Sequence, residues 1–235
     1  VVLVDPNGMA PDNPPWVDYY YSSVTSKTIG FSLRYPLIAL KIGTVKPGAT
    51  NISTNAVRFA TRIGLNENAK REGSEVNAFR HALWQAAITS LYGENIAIQI
   101  GNAHESNPNT ISLQNYKTNF TKLSEADQIV DLLNNMIGRY IGKSNPNSNM
   151  KELSLFLLDY YKEKGLWTVN INNNGTNTSY SISQTTLSQE QYQYAKSIIN
   201  NLNPNGFTSE EQLNRDKISQ DKNENLKRII LTNPQ

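Results

Sequence analysis

The sequence predicts a mostly α protein: a compact helical bundle with one small β-hairpin. Three observations carry that prediction. Apolar residues recur at three- and four-residue steps through most of the chain beyond residue 54, which is the period of an amphipathic helix. One stretch, WTVNINNNGTNTSYSIS (167–183), breaks that pattern with two β-prone runs around an Asn/Gly-rich turn, as a hairpin does. The chain of 235 residues is long enough to bury one core of good size.

The elements follow in order. VDPNGMAPDNPP (4–15) reads as turns and extended linker, so residues 1–15 stand apart from a single domain spanning 16–235. Residues 16–50, with Tyr19, Tyr20 and Tyr21 in a row, read as irregular structure with short helical pieces. TNAVRFATRIGL follows as a helix with Thr54 as its cap. Val76, Phe79, Leu83, Ala87 and Leu91 mark a helix over 75–91, with Asn77, Arg80, His81 and Trp84 on an adjoining face.

Gly93 breaks that helix, and a second one starts near Glu94. Ala97, Ile100, Gly101 and His104 share one of its faces, and Asn107-Pro108 ends it. Gly101 costs about 1 kcal/mol there relative to Ala, which close packing of another backbone would offset. SEADQIVDLLNNMIGRYIG (124–142) is a helix capped by Ser124. Its apolar stripe is Ile129, Leu132, Leu133, Met136, Ile137 and Tyr140. Lys151–Lys164 is a helix closed by Gly165, and Asn174-Gly175 turns the hairpin. SQEQYQYAKSIINNL carries a capping box, Ser188 with Gln191, and a charged helix with a thin apolar stripe spans 209–231.

Composition narrows the function. Hydrophobic residues make up 38% and charged residues 18%, with mean hydropathy −0.52, so Asn, Ser, Thr and Gln supply the polarity. A net charge of +2 and a pI near 8.6 suit an anionic substrate but fall short of the field of a dedicated nucleic-acid binder. The chain has no cysteine, which excludes disulfides, thiolate catalysis and cysteine-based zinc sites. No apolar run approaches the roughly 18–20 residues that span a bilayer. The opening VVLVDPNGMAP lacks the features of a signal peptide and an initiating Met, and reads as a piece of a longer chain. A nucleotide-binding glycine loop, an HExxH motif and a G-x-S-x-G elbow are all absent.

The chain holds only two histidines, His81 in NAFRHALW and His104 in NAHE. Imidazole exchanges protons near neutral pH, so two of them can share general base and general acid roles. Arg80 and Arg139 are cationic forks suited to phosphate oxygens. Asp131 and Glu105 can orient the imidazoles, or hold a divalent cation together with the Asn amides. That set is what hydrolysis of a phosphoester or pyrophosphate requires. The candidate catalytic residues are therefore His81, His104, Glu105, Arg80 and Asp131, and the candidate substrate-binding residues are Asn77, Trp84, Asn134, Asn135 and Arg139. Competing with this, Trp84 also suits a core, and Asp131, Asn134 and Asn135 also suit a solvated helix face.

NAFRHALW, NAHE and DLLNNMIGR together resemble an uncharacterised toxin-domain family at the C-termini of bacterial polymorphic toxins. Its pattern is N/D-A-x-R-H-x-x-W, A-H-E and D-x-x-N-N-x-x-G-R. Asn77, Arg80, His81 and Trp84 fill the first string, and His104 and Glu105 the second. Asp131, Asn134, Asn135, Gly138 and Arg139 fill the third, where Leu133 stands at a position often polar in relatives. The resemblance covers roughly 50–142, leaving a helical and hairpin extension over 148–235. VDPNG likewise resembles the end of an Rhs core.

The resemblance implies an antibacterial effector domain carried by an Rhs shell, delivered into target bacteria and neutralised by a cognate immunity protein. The R-H helix start is also similar to helical enzymes acting on lipid headgroups, such as the VanZ-like group. That favours a phosphate-containing envelope lipid or lipid-linked cell-wall precursor as substrate, met in the periplasm. Nucleic acid is the weaker candidate, and the rivals are a nuclease and a non-enzymatic membrane-permeabilising toxin.

Overall fold

The computed structural model describes residues 26–67, 72–105, 118–174 and 177–232, the last seven by backbone alone. The linker at 4–15, Tyr19–Tyr21, Asn107-Pro108 and Gly175 lie outside them. Residues 26–34 are helical. The helices that follow are α1 (Pro36–Ile42), α2 (Ile52–Arg62), α3 (Glu75–Tyr92) and α4 (Glu94–His104). The short strand β1 (Asn119–Phe120) leads into α5 (Leu123–Ser144) and α6 (Met150–Glu163). Strands β2 (Leu166–Asn174) and β3 (Asn177–Thr185) precede α7 (Gln189–Asn200) and α8 (Ser209–Thr232). The fold is mostly α with a small antiparallel sheet, as expected.

α3 is the axis of the bundle. Residues 76–90 are all buried, because α2, α4, α5, α6 and β2 surround the helix. Its residues are therefore mostly apolar, and among the polar ones Asn77, Trp84, Gln85 and Ser90 bond to neighbouring elements. α5 lies along α3 in the most extensive helix–helix interface, and two glycines permit the approach. A Cβ on Gly138 would meet the Ala82 carbonyl oxygen deep inside contact distance, and one on Gly142 would meet that of Ala86. Leu153, Leu157 and Leu158 of α6 are wholly buried in the same core, each stabilising by about 1.5–3 kcal/mol.

The hairpin pairs Val169 with Ile182 and Ile171 with Tyr180. β1 adds a third strand, pairing Phe120 with Tyr180. Two residues are too short to show a period-2 pattern, so this strand gave no sequence signal. Phe120, Ala126, Ile129, Val130, Leu133 and Ile182 form a second small core between α5 and the sheet.

The C-terminal helix is tied to α2 by charge rather than by apolar area. Arg62 makes a forked pair with Glu211 at 2.6 and 2.7 Å. Hydrogen bonds from Arg62 and from the Thr208 backbone hold Glu211 down at about 2. Arg58 and Arg215 lie over the Phe207 ring at 3.8 and 4.1 Å.

Several local expectations are corrected. Asn51, not Thr54, caps α2: its side chain accepts from the Thr54 amide, and Thr54 sits inside the first turn. α5 starts at Leu123, one residue before Ser124, so that Lys122 stands at the cap position and makes no side-chain cap bond. α6 is capped by Asn149 in a box with Glu152, while the Ser188–Gln191 box of α7 forms as expected. Gly101 makes room for the Gln85 side chain rather than for a backbone. Leu91, Met136 and Tyr140 are exposed at 48%, 37% and 62%. Leu91 lies in the last turn of α3, past its buried stretch; on α5 the polar cluster described next turns inward, and Met136 and Tyr140 turn out.

Candidate active site

The face of α5 that reads as polar is turned into the protein. Asp131, Asn134, Asn135 and Gly138 are buried, so the solvated-face reading is overturned. A buried carboxylate or carboxamide is costly unless it is hydrogen-bonded, and α3 supplies partners. Asn77 Nδ2 donates to Asp131 Oδ1 at 2.9 Å and to Asp127 Oδ1 at 3.0 Å. Asp127 also accepts from the Gly73 amide at 2.6 Å. One Asn thus bridges two carboxylates a helical turn apart, and fixes the rotation of α5 against the start of α3.

One turn further along α3, His81 meets the same carboxylate, and Arg80 meets His81. Arg80 Nη2 lies 2.7 Å from His81 Nε2 and also donates to Asn77 Oδ1. Asp131 Oδ2 stands 3.4 Å from the same His81 Nε2. Arg80 has no proton acceptor capacity, so His81 Nε2 accepts and the ring proton lies on Nδ1. Nε2 and Asp131 Oδ2 then face each other as two acceptors, a repulsion that a gained proton or a cation between them would relieve. Burial lowers the His81 pKa well below the usual imidazole range. Arg80 and then His104 add to that by charge repulsion. Asn135 faces the ring and favours the protonated form without closing a hydrogen bond of normal geometry: His81 Nδ1 and Asn135 Oδ1 both lack one among the described residues.

α4 brings the remaining groups. His104, its last residue, stands edge-on to Trp84 with ring centroids 5.1 Å apart at 86°. Trp84 is 1% exposed, and its indole N–H donates to Ser53 Oγ at 3.1 Å. It is therefore a wall that props His104. Glu105, at the C-terminal end of α4, is buried. The ligand atoms of His81, Glu105 and Asp131 lie within 4.8 Å of one another, a mixed N/O set that could hold a divalent cation. From the N-terminal helical segment, Lys27 Nζ donates to the Glu105 carbonyl at 3.1 Å.

Eight of the ten residues singled out from sequence thus converge: His81, His104, Glu105, Arg80, Asp131, Asn77, Trp84 and Asn135. Two point elsewhere. Asn134 binds the backbone of β2, accepting from the Trp167 amide and donating to its carbonyl, both at 2.9 Å. Arg139, half-buried, donates to Gln85 Oε1 at 3.3 Å. Burial lowers its pKa, and Glu94 counteracts. Sequence reasoning missed Asp127, although its spacing of four from Asp131 puts both carboxylates on one helix face. It also missed Lys27 and Ser53, which reach the cluster from distant segments with no local signal.

Asn134→Ala tests the structural role. It removes the two hydrogen bonds that Asn134 makes to the Trp167 N–H and C=O, a loss of about 1–3 kcal/mol. Thermal denaturation should show the drop, while any activity per folded molecule stays at the wild-type level.

The fold and the cluster define a helical domain with a largely buried His–Arg–carboxylate site between its two central helices. The chain belongs to the family described as a domain of unknown function (DUF6973), whose model matches residues 32–164, more than half of the chain. That span contains every residue of the cluster except Lys27. No curated protein and no solved structure matches the chain.

Proposed function

We propose that the chain is the toxin domain of an Rhs-type polymorphic toxin and hydrolyses a phosphate-containing bond at this cluster. The observation that carries the reading is the meeting of Arg80 Nη2, His81 Nε2 and Asp131 Oδ2 within 3.4 Å of the imidazole nitrogen, in a buried site. Arg80 holds His81 neutral and occupies its lone pair. A substrate phosphate competes for Arg80, because a guanidinium pairs better with an anion than with a neutral imidazole. Drawn onto the phosphate, Arg80 releases His81 Nε2 beside Asp131.

The freed nitrogen takes a proton from water, the water oxygen attacks phosphorus, and the phosphorus–oxygen bond to the leaving group breaks. Asp131 stabilises the imidazolium as it forms. His104 supplies the proton to the leaving oxygen. The favoured substrate is an envelope lipid or lipid-linked cell-wall precursor, reached after delivery to the periplasm of a target cell. A cognate immunity protein and the parent Rhs shell are the partners this reading carries.

A second reading rests on the spacing of His81, Glu105 and Asp131. A divalent cation held there activates the attacking water, and the same chemistry then extends to a nuclease. A cation bound at His81 Nε2 would need the lone pair that Arg80 occupies, so the second reading requires Arg80 to move aside.

The test is growth arrest of a bacterial host expressing the wild type, His81→Ala or His104→Ala, each with and without export to the periplasm. Arrest only on export, lost in both variants while circular dichroism stays native, is the expected result. Arrest in the cytoplasm with loss of DNA or RNA supports the nuclease. Undiminished toxicity of both variants ends the catalytic reading of the histidines.

A further inference from the structure

The helical segment 26–42 carries a face that no other described element covers. Thr28, Phe31, Ala39 and Ile42 are buried against the bundle. On the opposite side Leu33, Leu37 and Leu40 are 79%, 78% and 63% exposed, with Ile29 at 42%. Ile29 and Leu33 lie one turn apart on the first helical piece, and Leu37 and Leu40 lie one turn apart on α1, the two pieces meeting at a bend at Tyr35. Among the described residues, helix-bound leucines of this exposure are otherwise scattered singly. The charge around the stripe has one sign. Residues 26–66 hold six Lys and Arg and not one Asp or Glu. Arg58 and Arg62 are spent on the loop at 205–207 and on Glu211. Arg34, Lys41 and Lys46 remain on the exposed surface.

We infer that this face docks the domain on an anionic lipid bilayer. Leucines flanked by cations on a short helix are the composition of an interfacial, in-plane segment: the apolar face enters the acyl boundary and the cations meet headgroup phosphates. No described helix is long and apolar enough to cross a membrane, so contact is with the surface. A second copy of the chain suits the face poorly. Two-fold pairing through it would set Arg34, Lys41 and Lys46 against their own copies with no acid between them. On its bundle side the same segment reaches the cluster, through the bond from Lys27 in its first turn to the Glu105 carbonyl. This inference stands on exposure and charge and does not depend on the hydrolase reading.

Co-sedimentation with vesicles tests it, using phosphatidylglycerol mixed with phosphatidylethanolamine against phosphatidylcholine alone. The wild type should sediment with the anionic vesicles and not with the neutral ones. The combined variant L33S, L37S, L40S should bind about tenfold more weakly or less, and R34E with K41E should weaken binding by a similar factor. All five positions are exposed, so native circular dichroism is expected. His81→Ala should bind like the wild type, which separates this result from the fate of the catalytic reading. No sedimentation with anionic vesicles overturns the inference. So does unchanged binding by the leucine variant, or a dimer by light scattering that the leucine variant abolishes.

Discussion

Gly138→Ala should lower the melting temperature by about 10 °C, with a loss of about 3 kcal/mol. The added methyl group would point at the Ala82 carbonyl of α3 and come within 2.8 Å of Gln85 Cβ. A flexible side chain could yield, but a helix backbone cannot without moving α5 bodily away from α3. Moving α5 stretches the bonds from Asn77 to Asp127 and Asp131, so stability and the geometry of the cluster should fail together. Gly30 is the internal control. It is helical, and nothing lies within 4 Å of its would-be Cβ, so Gly30→Ala should raise stability by about 0.5–1 kcal/mol. Differential scanning calorimetry on the pair reads both signs. Equal melting temperatures for Gly138→Ala and the wild type would mean that the α3–α5 approach is not fixed as described.

Asp131→Asn should be the more damaging change to function. The carboxamide keeps the shape and can still accept from Asn77, whose Nδ2 donates to Asp131 Oδ1. What disappears is the negative charge 3.4 Å from His81 Nε2. Without it, Glu105 alone of the three clustered ligand residues is left to offset the positive charge that His81 gains on taking a proton beside Arg80. A loss of general-base efficiency of about 10²–10⁴ is expected, seen as a steep rise in the expression level needed to arrest growth. Stability should fall too, by about 1–3 kcal/mol, because the buried Arg80 loses a nearby anion. Growth arrest at the wild-type expression level, from a variant that folds, would reduce Asp131 to a packing role.

How much of this was legible in the sequence varies by element. α3 was legible because Asn77, Arg80, His81 and Trp84 follow the helical repeat and form one face. α5 was legible as a helix but misleading as a surface. Its apolar residues suggest an inner stripe, yet Met136 and Tyr140 are exposed, and Asn134 is wholly buried. A hydrophobic count cannot see a polar face that is buried because its partners lie 33 and 54 residues away. The glycines gave a partial signal, since Gly138 and Gly142 are one turn apart, as helices in backbone contact require. The caps failed by three and by two residues for the opposite reason. Thr54 and Ser124 are good capping types, and local geometry chose Asn51 and Lys122 instead.

The Asn77–Asp131 bond joins segments more than fifty residues apart, and Lys27 reaches Glu105 across 78. The cluster is therefore a product of the finished fold and not of any local motif. A nascent chain has both imidazoles early, but the acceptor arrives only when α5 closes against α3. On the proposed hydrolase reading, truncated forms that end before that helix should be chemically silent. On the same reading, a cell that makes the protein meets its chemistry only once α5 has been synthesised and packed, which sets the moment at which a neutralising partner would have to be at hand.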